Sequence, residues 1–267
     1  MKMDKKTFRS SDGISLAYFE NGTGKKTVVF LSGYGAPAIS WCSQVKALNR
    51  AGIRTIAFDR RCHGLSEKTE KGMDMLRHGK DVRELLEYLD LKDVILVGQS
   101  QGASTIWAYV SQYGADRLKA VVSVDQTPKM INDDEWPLGM YGLNPETRPT
   151  FFDTPIPAPN KKPLDKRIIL YLALHGRGYP KFSQEDTMGL LLDHADADWR
   201  RAIETVDIPA LFIAGGESPF WSPEHAKAAA ALAPRGEYCV IEGSGHAVNW
   251  ECVKEFNRVL LEFIGRL

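Results

Sequence analysis

The chain has 267 residues, of which 43% are hydrophobic and 25% are charged, and its 34 basic side chains balance 34 acidic ones. This composition is typical of a soluble globular protein with one large domain or two small ones, and the zero net charge gives no support for nucleic acid or an anionic membrane as a main partner. No apolar run is long enough to span a bilayer, and the charged N-terminus does not resemble a secretory signal, so we expect a cytoplasmic location.

Six short apolar runs alternate with longer amphipathic segments along the chain. Runs that are apolar on both faces, separated by helices, predict a doubly wound α/β fold with a mostly parallel sheet. The predicted strands cover residues 27–31, 55–58, 94–97, 120–124, 210–214 and 238–241. The main predicted helices cover residues 41–51, 75–89, 223–233 and 250–264. Ligands of such sheets bind beyond the carboxyl ends of the strands, so the residues that follow each strand carry the functional information.

The alternation stops between residues 127 and 204. Prolines punctuate the first half of this segment and predict irregular loops, and short helices follow. These helices are predicted over residues 166–174, 184–192 and 198–205. A helical insertion between two strands would lie over the strand ends. We therefore interpret residues 127–204 as a helical cap and residues 1–126 and 205–267 as the core.

A glycine-rich turn, Gly98-Gln99-Ser100-Gln101-Gly102, follows the third predicted strand and leads into a helix. A serine on such a turn has a strained backbone and an exposed hydroxyl, and the glycines are needed because Cβ atoms there would collide with the neighbouring strand and helix. The turn also aims the first N–H groups of the helix, including that of Gln101, at negative charge beside Ser100. A helix-capping serine is the alternative, but the rest of the chain favours a nucleophile.

Two other strand ends supply groups that suit a serine nucleophile. The glycine-rich loop after the first predicted strand can turn the Tyr34 N–H toward Ser100, where it would form an oxyanion hole with the N–H of Gln101. His246 follows the last strand on a flexible loop and can take the serine proton near pH 7. His63 lies in a tight turn and is interpreted as structural.

Four motifs occur in a family-specific order: Ser32-Gly33-Tyr34-Gly35, Phe58-Asp59-Arg60-Arg61-Cys62-His63-Gly64-Leu65-Ser66, Gly98-Gln99-Ser100-Gln101-Gly102 and Gly243-Ser244-Gly245-His246. On these motifs the chain resembles the α/β-hydrolase superfamily over nearly its whole length. The resemblance implies the α/β-hydrolase fold with a Ser–His–acid triad and a cap inserted after the sixth strand of the family sheet. It also implies two-step acyl transfer without a cofactor.

The acid of the triad departs from the usual family pattern. Members commonly carry an aspartate in the loop after the seventh strand, but here that position is Ser218, which cannot stabilise an imidazolium as a carboxylate does. Two replacements are available: Glu217, one residue earlier, and Asp125, at the end of the preceding strand, where some members take their acid. We favour Asp125 because side chains at adjacent strand tips point the same way, and Glu217 stays the alternative.

The sequence predicts no metal site and no cofactor. The aspartates around His194 lack the spacing of a calcium loop and are interpreted as first-turn acids of the next helix, and no phosphate or dinucleotide glycine pattern is present. Aromatic residues in and near the cap are candidates to line a substrate pocket, among them Trp136 and Trp221, although single aromatics are more often core residues.

Together these features predict a carboxylesterase-like serine hydrolase whose partner is a small-molecule substrate. Ser100 would attack a small, mainly apolar carboxylic ester, His246 would transfer the protons, and Asp125 would orient His246. Related reactions stay open on the same triad: C–C bond hydrolysis, lactone opening, perhydrolysis, aminopeptidase action and acyl transfer to another acceptor. A non-catalytic ligand receptor with this fold is a further alternative, which the intact Ser100 and His246 disfavour.

Overall fold

Eight strands pair in one sheet in the computed structural model, which describes residues 4–154 and 156–267. The strands are β1 (Lys5–Arg9), β2 (Ser15–Asn21), β3 (Thr27–Leu31), β4 (Arg54–Asp59), β5 (Val94–Gln99), β6 (Leu118–Val124), β7 (Ala210–Gly215) and β8 (Gly236–Ile241). Their order across the sheet is β1-β2-β4-β3-β5-β6-β7-β8. β2 is antiparallel to both neighbours and the remaining pairs are parallel, so the predicted mostly parallel sheet is confirmed. Residues 1–3 of the predicted core and residue 155 of the predicted cap lie outside the described residues.

The six predicted strands correspond to β3 through β8, with bounds that differ by two residues at most. The sequence patterns do not predict β1 and β2. In β1 only Phe8 is buried, so this strand lacks the apolar run that marks the interior strands. β2 has a buried stretch of only four residues, 16–19, between polar ends. Both strands belong to the antiparallel side of the sheet, where burial on both faces along the whole strand is not required.

Helices cover both faces of the sheet. They are α1 (Cys42–Arg50), α2 (Met75–Tyr88), α3 (Gln101–Tyr113), α4 (Lys166–His175), α5 (Met188–Asp196), α6 (Arg200–Thr205), α7 (Glu224–Leu232), α8 (Val248–Glu251) and α9 (Val253–Gly265). Successive residues of β3 alternate between the faces. Val28 and Phe30 share a core cluster with residues of α1 and α9, whereas Val29 and Leu31 share one with α2 and α3. Within the described ranges, no helix combines the length and apolar character that crossing a membrane requires.

The segment between β6 and β7 contains α4, α5 and α6 and contributes most residues of a third apolar cluster. Met130 and Leu191 of this segment pack there with Phe220 and Trp221, which follow β7. α6 instead packs against α3, with Ile203 in the core cluster of that face. The cap, with its boundaries at residues 127 and 204, stays a prediction.

Candidate active site

Ser100 occupies the turn between β5 and α3 with a strained backbone. Its φ of 54° and ψ of −129° lie in a region that residues with a Cβ rarely adopt. Its N–H donates to the carbonyl oxygen of Val124, 2.9 Å away, which anchors the turn to β6. A Cβ on Gly98 would lie 2.4 Å from the backbone of Gly102, and a Cβ on Gly102 would lie 2.2 Å from the carbonyl oxygen of Leu31. Only glycines therefore allow the strand and the helix to approach this closely around the serine.

Asp125 and His246 form a short hydrogen bond. Nδ1 of His246 lies 2.6 Å from Oδ2 of Asp125, and both side chains are buried. A carboxylate can only accept at this contact, so the N–H belongs to Nδ1 and Nε2 is left as the basic nitrogen. The rings of Phe220 and Trp221 lie 4.4 and 5.4 Å from the imidazole, centre to centre, and restrict its orientation.

Neutral donors hold Asp125 as an anion. The N–H of Gly215 donates to Oδ1 at 2.8 Å and the hydroxyl of Ser218 donates to Oδ2 at 2.7 Å. Nε2 of His225, at the start of α7, lies 3.6 Å from Oδ1. Burial alone raises the pKa of Asp125, but the interactions with His225 and His246 outweigh it and lower the pKa to about 2. The carboxylate is therefore ionised at neutral pH and can stabilise an imidazolium.

Asp125 and Glu217, the two candidates for the acid of the triad, have different surroundings in the structure. Asp125 contacts His246 directly. Glu217 is instead 45% exposed, and its Oε2 lies 3.1 Å from Nζ of Lys161. Ser218, at the position where the family usually has aspartate, donates to Asp125, so it supports a carboxylate that the neighbouring strand supplies.

Two loops that meet at Ser100 carry the N–H groups expected to bind an oxyanion. A Cβ on Gly33 would lie 3.1 Å from Cβ of Ser100, so the loop after β3 runs directly beside the serine. Tyr34 is the next residue of this loop, and its hydroxyl lies 2.8 Å from Oγ1 of Thr187. Gln101 is the first residue of α3, where N–H groups have no acceptor within the helix.

A buried arginine connects these two loops. Arg60, directly after β4, donates to the carbonyl oxygens of Ser32 and Gly33 at 3.2 and 3.1 Å. It also donates to Oε1 of Gln101 at 2.8 Å. One guanidinium thus fixes the loop after β3 relative to the start of α3. No motif in the sequence indicates this role.

Neutral imidazoles complete the surroundings of Arg60. Its Nη atoms lie 3.1 Å from a ring nitrogen of His78 and 3.3 Å from one of His63. Burial lowers the pKa of both histidines well below the usual value, and the charge of Arg60 acts in the same direction. Burial also lowers the pKa of Arg60 to about 9, against the opposing charges of Asp59 and Asp81. Arg60 is therefore a cation at neutral pH among neutral hydrogen-bond acceptors.

Ser100 and His246 line one cavity of about 510 Å³. Its walls are largely apolar and include Met130, Met140 and Leu191 from the segment between β6 and β7. The described residues around this cavity include no Lys, Arg, Asp or Glu. The site thus combines a strained serine, an oriented histidine and an uncharged pocket.

A model of the alpha/beta hydrolase fold matches residues 26–252 of the sequence. The chain belongs to the α/β-hydrolase family. This α/β hydrolase is 30% identical to the non-heme chloroperoxidase CPO-A1 of Kitasatospora aureofaciens, over 96% of its own length and 98% of the relative's. It is 23% identical to the bifunctional esterase/perhydrolase DCH of Acinetobacter calcoaceticus, again over 96% of its own length and 98% of the relative's.

The crystal structure of a bromoperoxidase from Bacillus anthracis is similar to this α/β hydrolase throughout, with a TM-score of 0.83 at 28% identity. The similarity covers 98% of this chain and 100% of that chain. The family resemblance drawn from the four motifs is therefore confirmed.

The two tryptophans expected to bind substrate take different places in this α/β hydrolase. Trp221 lines the cavity, whereas Trp136 is not among the described residues that do. The indole N–H of Trp136 donates to Oγ1 of Thr127 at 2.9 Å, and the guanidinium of Arg200 lies over its ring, 5.9 Å from the centre. Of the two tryptophans, the structure therefore brings Trp221 to the cavity of Ser100 and His246, and a substrate-binding role stays a prediction for both.

Proposed function

We propose that this α/β hydrolase is a serine hydrolase that cleaves small, mainly apolar carboxylic esters through an acyl-enzyme intermediate. The proposal rests on the 2.6 Å contact between Nδ1 of His246 and Oδ2 of Asp125, in a site where Ser100 and His246 line the same cavity. A carboxylate that fixes the tautomer of an imidazole near a strained serine is the arrangement that activates serine for acyl transfer.

The reaction follows from the roles of these groups. Nε2 of His246 takes the hydroxyl proton as Oγ of Ser100 attacks the ester carbonyl, and Asp125 stabilises the imidazolium. The N–H groups of Tyr34 and Gln101 bind the oxyanion, and loss of one such donor costs about 3 kcal/mol of transition-state stabilisation. His246 then protonates the leaving alcohol. A water molecule, deprotonated by the same nitrogen, releases the carboxylic acid and restores Ser100.

Arg60 adds a fixed positive charge to this oxyanion site. It is a positioning residue, since it bonds the carbonyl oxygen of Gly33 and the side chain of Gln101 rather than the substrate. Its charge acts through a buried, low-dielectric region, where it favours negative charge developing beside Ser100 more strongly than it would in water.

The uncharged cavity favours a small neutral substrate. A volume of about 510 Å³ suits a ligand of modest size, and apolar side chains from the predicted cap would exclude water around the ester. The experiment for this part of the proposal is a series of aryl esters with increasing acyl length. We expect kcat/KM to rise with length and then to fall once the cavity is filled.

Replacing Ser100 tests the nucleophile. Ser100→Ala should lower kcat on p-nitrophenyl esters by at least about 10⁴-fold and abolish labelling by a fluorophosphonate probe, with an unchanged circular dichroism spectrum. Ser104→Ala is the matched control, because Ser104 is buried one turn into α3 and its Oγ has no hydrogen-bond partner among the described residues. The proposal fails if Ser100→Ala keeps its turnover while Ser104→Ala behaves as the wild type does.

Perhydrolysis is a second candidate, and the relatives named as a non-heme chloroperoxidase and an esterase/perhydrolase favour it. Hydrogen peroxide would replace water at the acyl-enzyme, so that the acyl group leaves as a peracid and Ser100 regains its proton. The test is the ratio of peracid to carboxylic acid formed at increasing peroxide concentration. A ratio no higher than that of uncatalysed ester cleavage under the same conditions would exclude this activity.

A further inference from the structure

His194 brings a second imidazole to the cavity that Ser100 and His246 line. It lies on α5, is only 4% exposed, and belongs to the cavity wall together with Leu191, which precedes it by three residues on the same helix face. The sequence predicts the aspartates around it as first-turn acids of the next helix and indicates no role for His194 itself. Its place in the wall is therefore information that the fold adds.

His194 is neutral in this setting. Burial lowers the pKa of His194 to about 3, and the charges of Arg60 and His246 act in the same direction. A neutral imidazole has one N–H and one lone pair, and its weak basicity separates it from the proton-transfer role of His246. Any function of His194 is therefore hydrogen bonding rather than proton transfer.

Nδ1 of His194 is enclosed and has no hydrogen-bond partner among the described residues. An N–H at an enclosed nitrogen without an acceptor is costly, whereas an unpaired acceptor is tolerated more often. The proton therefore belongs on Nε2, the other nitrogen of the ring. This tautomer makes the imidazole a hydrogen-bond donor at its Nε2 edge.

Several polar groups of the cavity have hydrogen-bond partners within the protein, whereas Nδ1 of His194 has none among the described residues. The hydroxyl of Ser32 donates to the carbonyl oxygen of Pro37, and Nε2 of Gln99 donates to that of His246. Oδ1 of Asn160 and Nε1 of Trp221 are, like Nδ1 of His194, buried with no hydrogen-bond partner in the part of the chain that the structure describes. A cavity with unpaired polar atoms in largely apolar walls suits a ligand that carries polar atoms of its own.

We propose that Nε2–H of His194 binds an uncharged acceptor oxygen of the substrate that lies outside the scissile ester group, such as a ketone or a second ester carbonyl. The proposal rests on the ester hydrolysis proposed above and narrows its substrate class. When such a substrate displaces solvent from the cavity, an oxygen keeps the donor paired. A methylene group at the same place would leave it unpaired.

The substrates themselves give the first test. Phenyl 4-oxopentanoate and phenyl 5-oxohexanoate are compared with the esters in which =CH₂ replaces the ketone oxygen, each corrected for its rate of hydroxide hydrolysis. The wild-type enzyme should prefer the ketone of at least one pair by about tenfold or more in kcat/KM, because leaving a buried donor unpaired has a cost of this order. Equal corrected values in both pairs would overturn the proposal without any variant.

Variants of His194 give the second test. His194→Leu should reduce the preference to about twofold or less, and His194→Gln, which keeps an N–H donor, should retain part of it. Leu191→Met is the matched control, because it changes an apolar side chain of the same wall and should leave the preference in place. A preference that survives His194→Leu overturns the proposal. If His194→Leu does not fold, two measurements still test the proposal: the ketone preference of the wild type and the part of it that His194→Gln retains.

Fluorophosphonate labelling distinguishes this failure from failure of the proposed function. A wild-type enzyme that is neither labelled nor able to cleave any of the four esters would contradict the serine mechanism itself. An enzyme that is labelled and active, but indifferent to the ketone oxygen, would contradict only the role of His194.

Discussion

Arg60 and Arg61 are neighbours in the chain and both are buried, yet they are bonded to opposite kinds of partner. Nε and Nη2 of Arg61 donate to the carboxylate of Asp81 at 2.7 and 2.8 Å, and its Nη1 donates to Asp12 at 3.1 Å. Burial opposes the charge of Arg61, but these hydrogen bonds outweigh it and raise its pKa. Arg60 bonds only neutral acceptors among the described residues, and burial lowers its pKa to about 9.

This fold therefore buries charge in two ways. A charge paired with carboxylates loses most of its long-range field and serves to hold elements together. A charge held by neutral dipoles keeps its field and can act on charge that develops nearby. Asp125 belongs to the second kind, since an amide N–H, a hydroxyl and an imidazole N–H hold it. Both charges of this kind contact groups assigned to the proposed reaction.

Among variants of the buried charges, neutralising Asp125 should have the largest effect on catalysis. Asp125→Asn keeps the size of the side chain but no longer fixes Nδ1–H or stabilises the imidazolium, so kcat should fall by about 10⁴-fold. Glu217→Gln is the matched control and should change kcat by less than about twofold, because Glu217 pairs with Lys161 instead. Steady-state kinetics on one aryl ester suffices. If Glu217→Gln loses activity and Asp125→Asn does not, the acid of the triad is Glu217 and not Asp125.

Removing Arg61, which bonds carboxylates, should act on stability. Arg61→Met leaves the buried carboxylate of Asp81 with Arg77 as its remaining charged partner. The free energy of unfolding should therefore fall by about 3 kcal/mol, the lower end of the range for a broken buried pair. Urea unfolding measures this as a lower midpoint at constant slope. The kcat per folded molecule, counted by fluorophosphonate labelling, should stay near that of the wild type. A fall in kcat per labelled site would show that Arg61 also serves the reaction.

Removing Arg60, which bonds neutral groups, should act mainly on kcat. Arg60→Met takes away the donor that fixes Gly33 and Gln101, together with a positive charge near the oxyanion, so kcat should fall by about 10²- to 10³-fold with little change in KM. Arg60→Lys keeps the charge but not the planar set of donors, so its kcat should fall less than that of Arg60→Met. If Arg60→Met lowers stability as much as Arg61→Met and leaves kcat intact, the distinction between the two arginines is lost.

The parts of this molecule that could be predicted are those with a local signal. β3 through β8 are apolar because helices cover both of their faces, and Ser100 and His246 follow strands in glycine-rich motifs. Asp125 could be weighed against Glu217 because neighbouring parallel strands end at one edge of the sheet. β1 carries a single buried residue and therefore no such signal.

The parts that could not be predicted depend on contacts between distant segments. Arg60 meets His78 and Gln101 across 18 and 41 positions, and no motif links these residues in the sequence. Asp59, the residue before Arg60, accepts the N–H groups of Ala38 and Leu65, and Ala38 is likewise distant in the chain. A buried side chain can be predicted to need partners, but which partners it finds follows only from the assembled fold.

Acid sensitivity gives a smaller test of how strongly the fold holds Asp125 as an anion. The pKa of Asp125 is depressed to about 2 from an ordinary value of 3.8. Its ionised form therefore stabilises the fold fully above about pH 4, and this contribution is lost as the pH falls through about 2. Between pH 4.5 and pH 2 the wild type should lose roughly 2 kcal/mol more unfolding free energy than Asp125→Asn. Parallel pH profiles for the two proteins would mean that folding does not depress this pKa.

Exchanging Asp125 and Ser218 tests whether position or charge matters more, and its expected effect is the smallest. The Ser218 hydroxyl lies 2.7 Å from Oδ2 of Asp125, the atom that accepts Nδ1–H of His246 at 2.6 Å. A carboxylate at residue 218 would therefore reach nearly the same place, although without the N–H of Gly215 to hold it. Asp125→Ser combined with Ser218→Asp should regain about tenfold in kcat over Asp125→Ser alone, measured on the same ester.

The single variant Ser218→Asp completes this exchange. It places two carboxylates beside one histidine, so one of them should bind a proton more tightly and the acid limb of the pH–rate profile should move to higher pH. If kcat of the double variant does not recover, a carboxylate can orient His246 only from the end of β6. The neutral donors around Asp125, and not its charge alone, would then define the site.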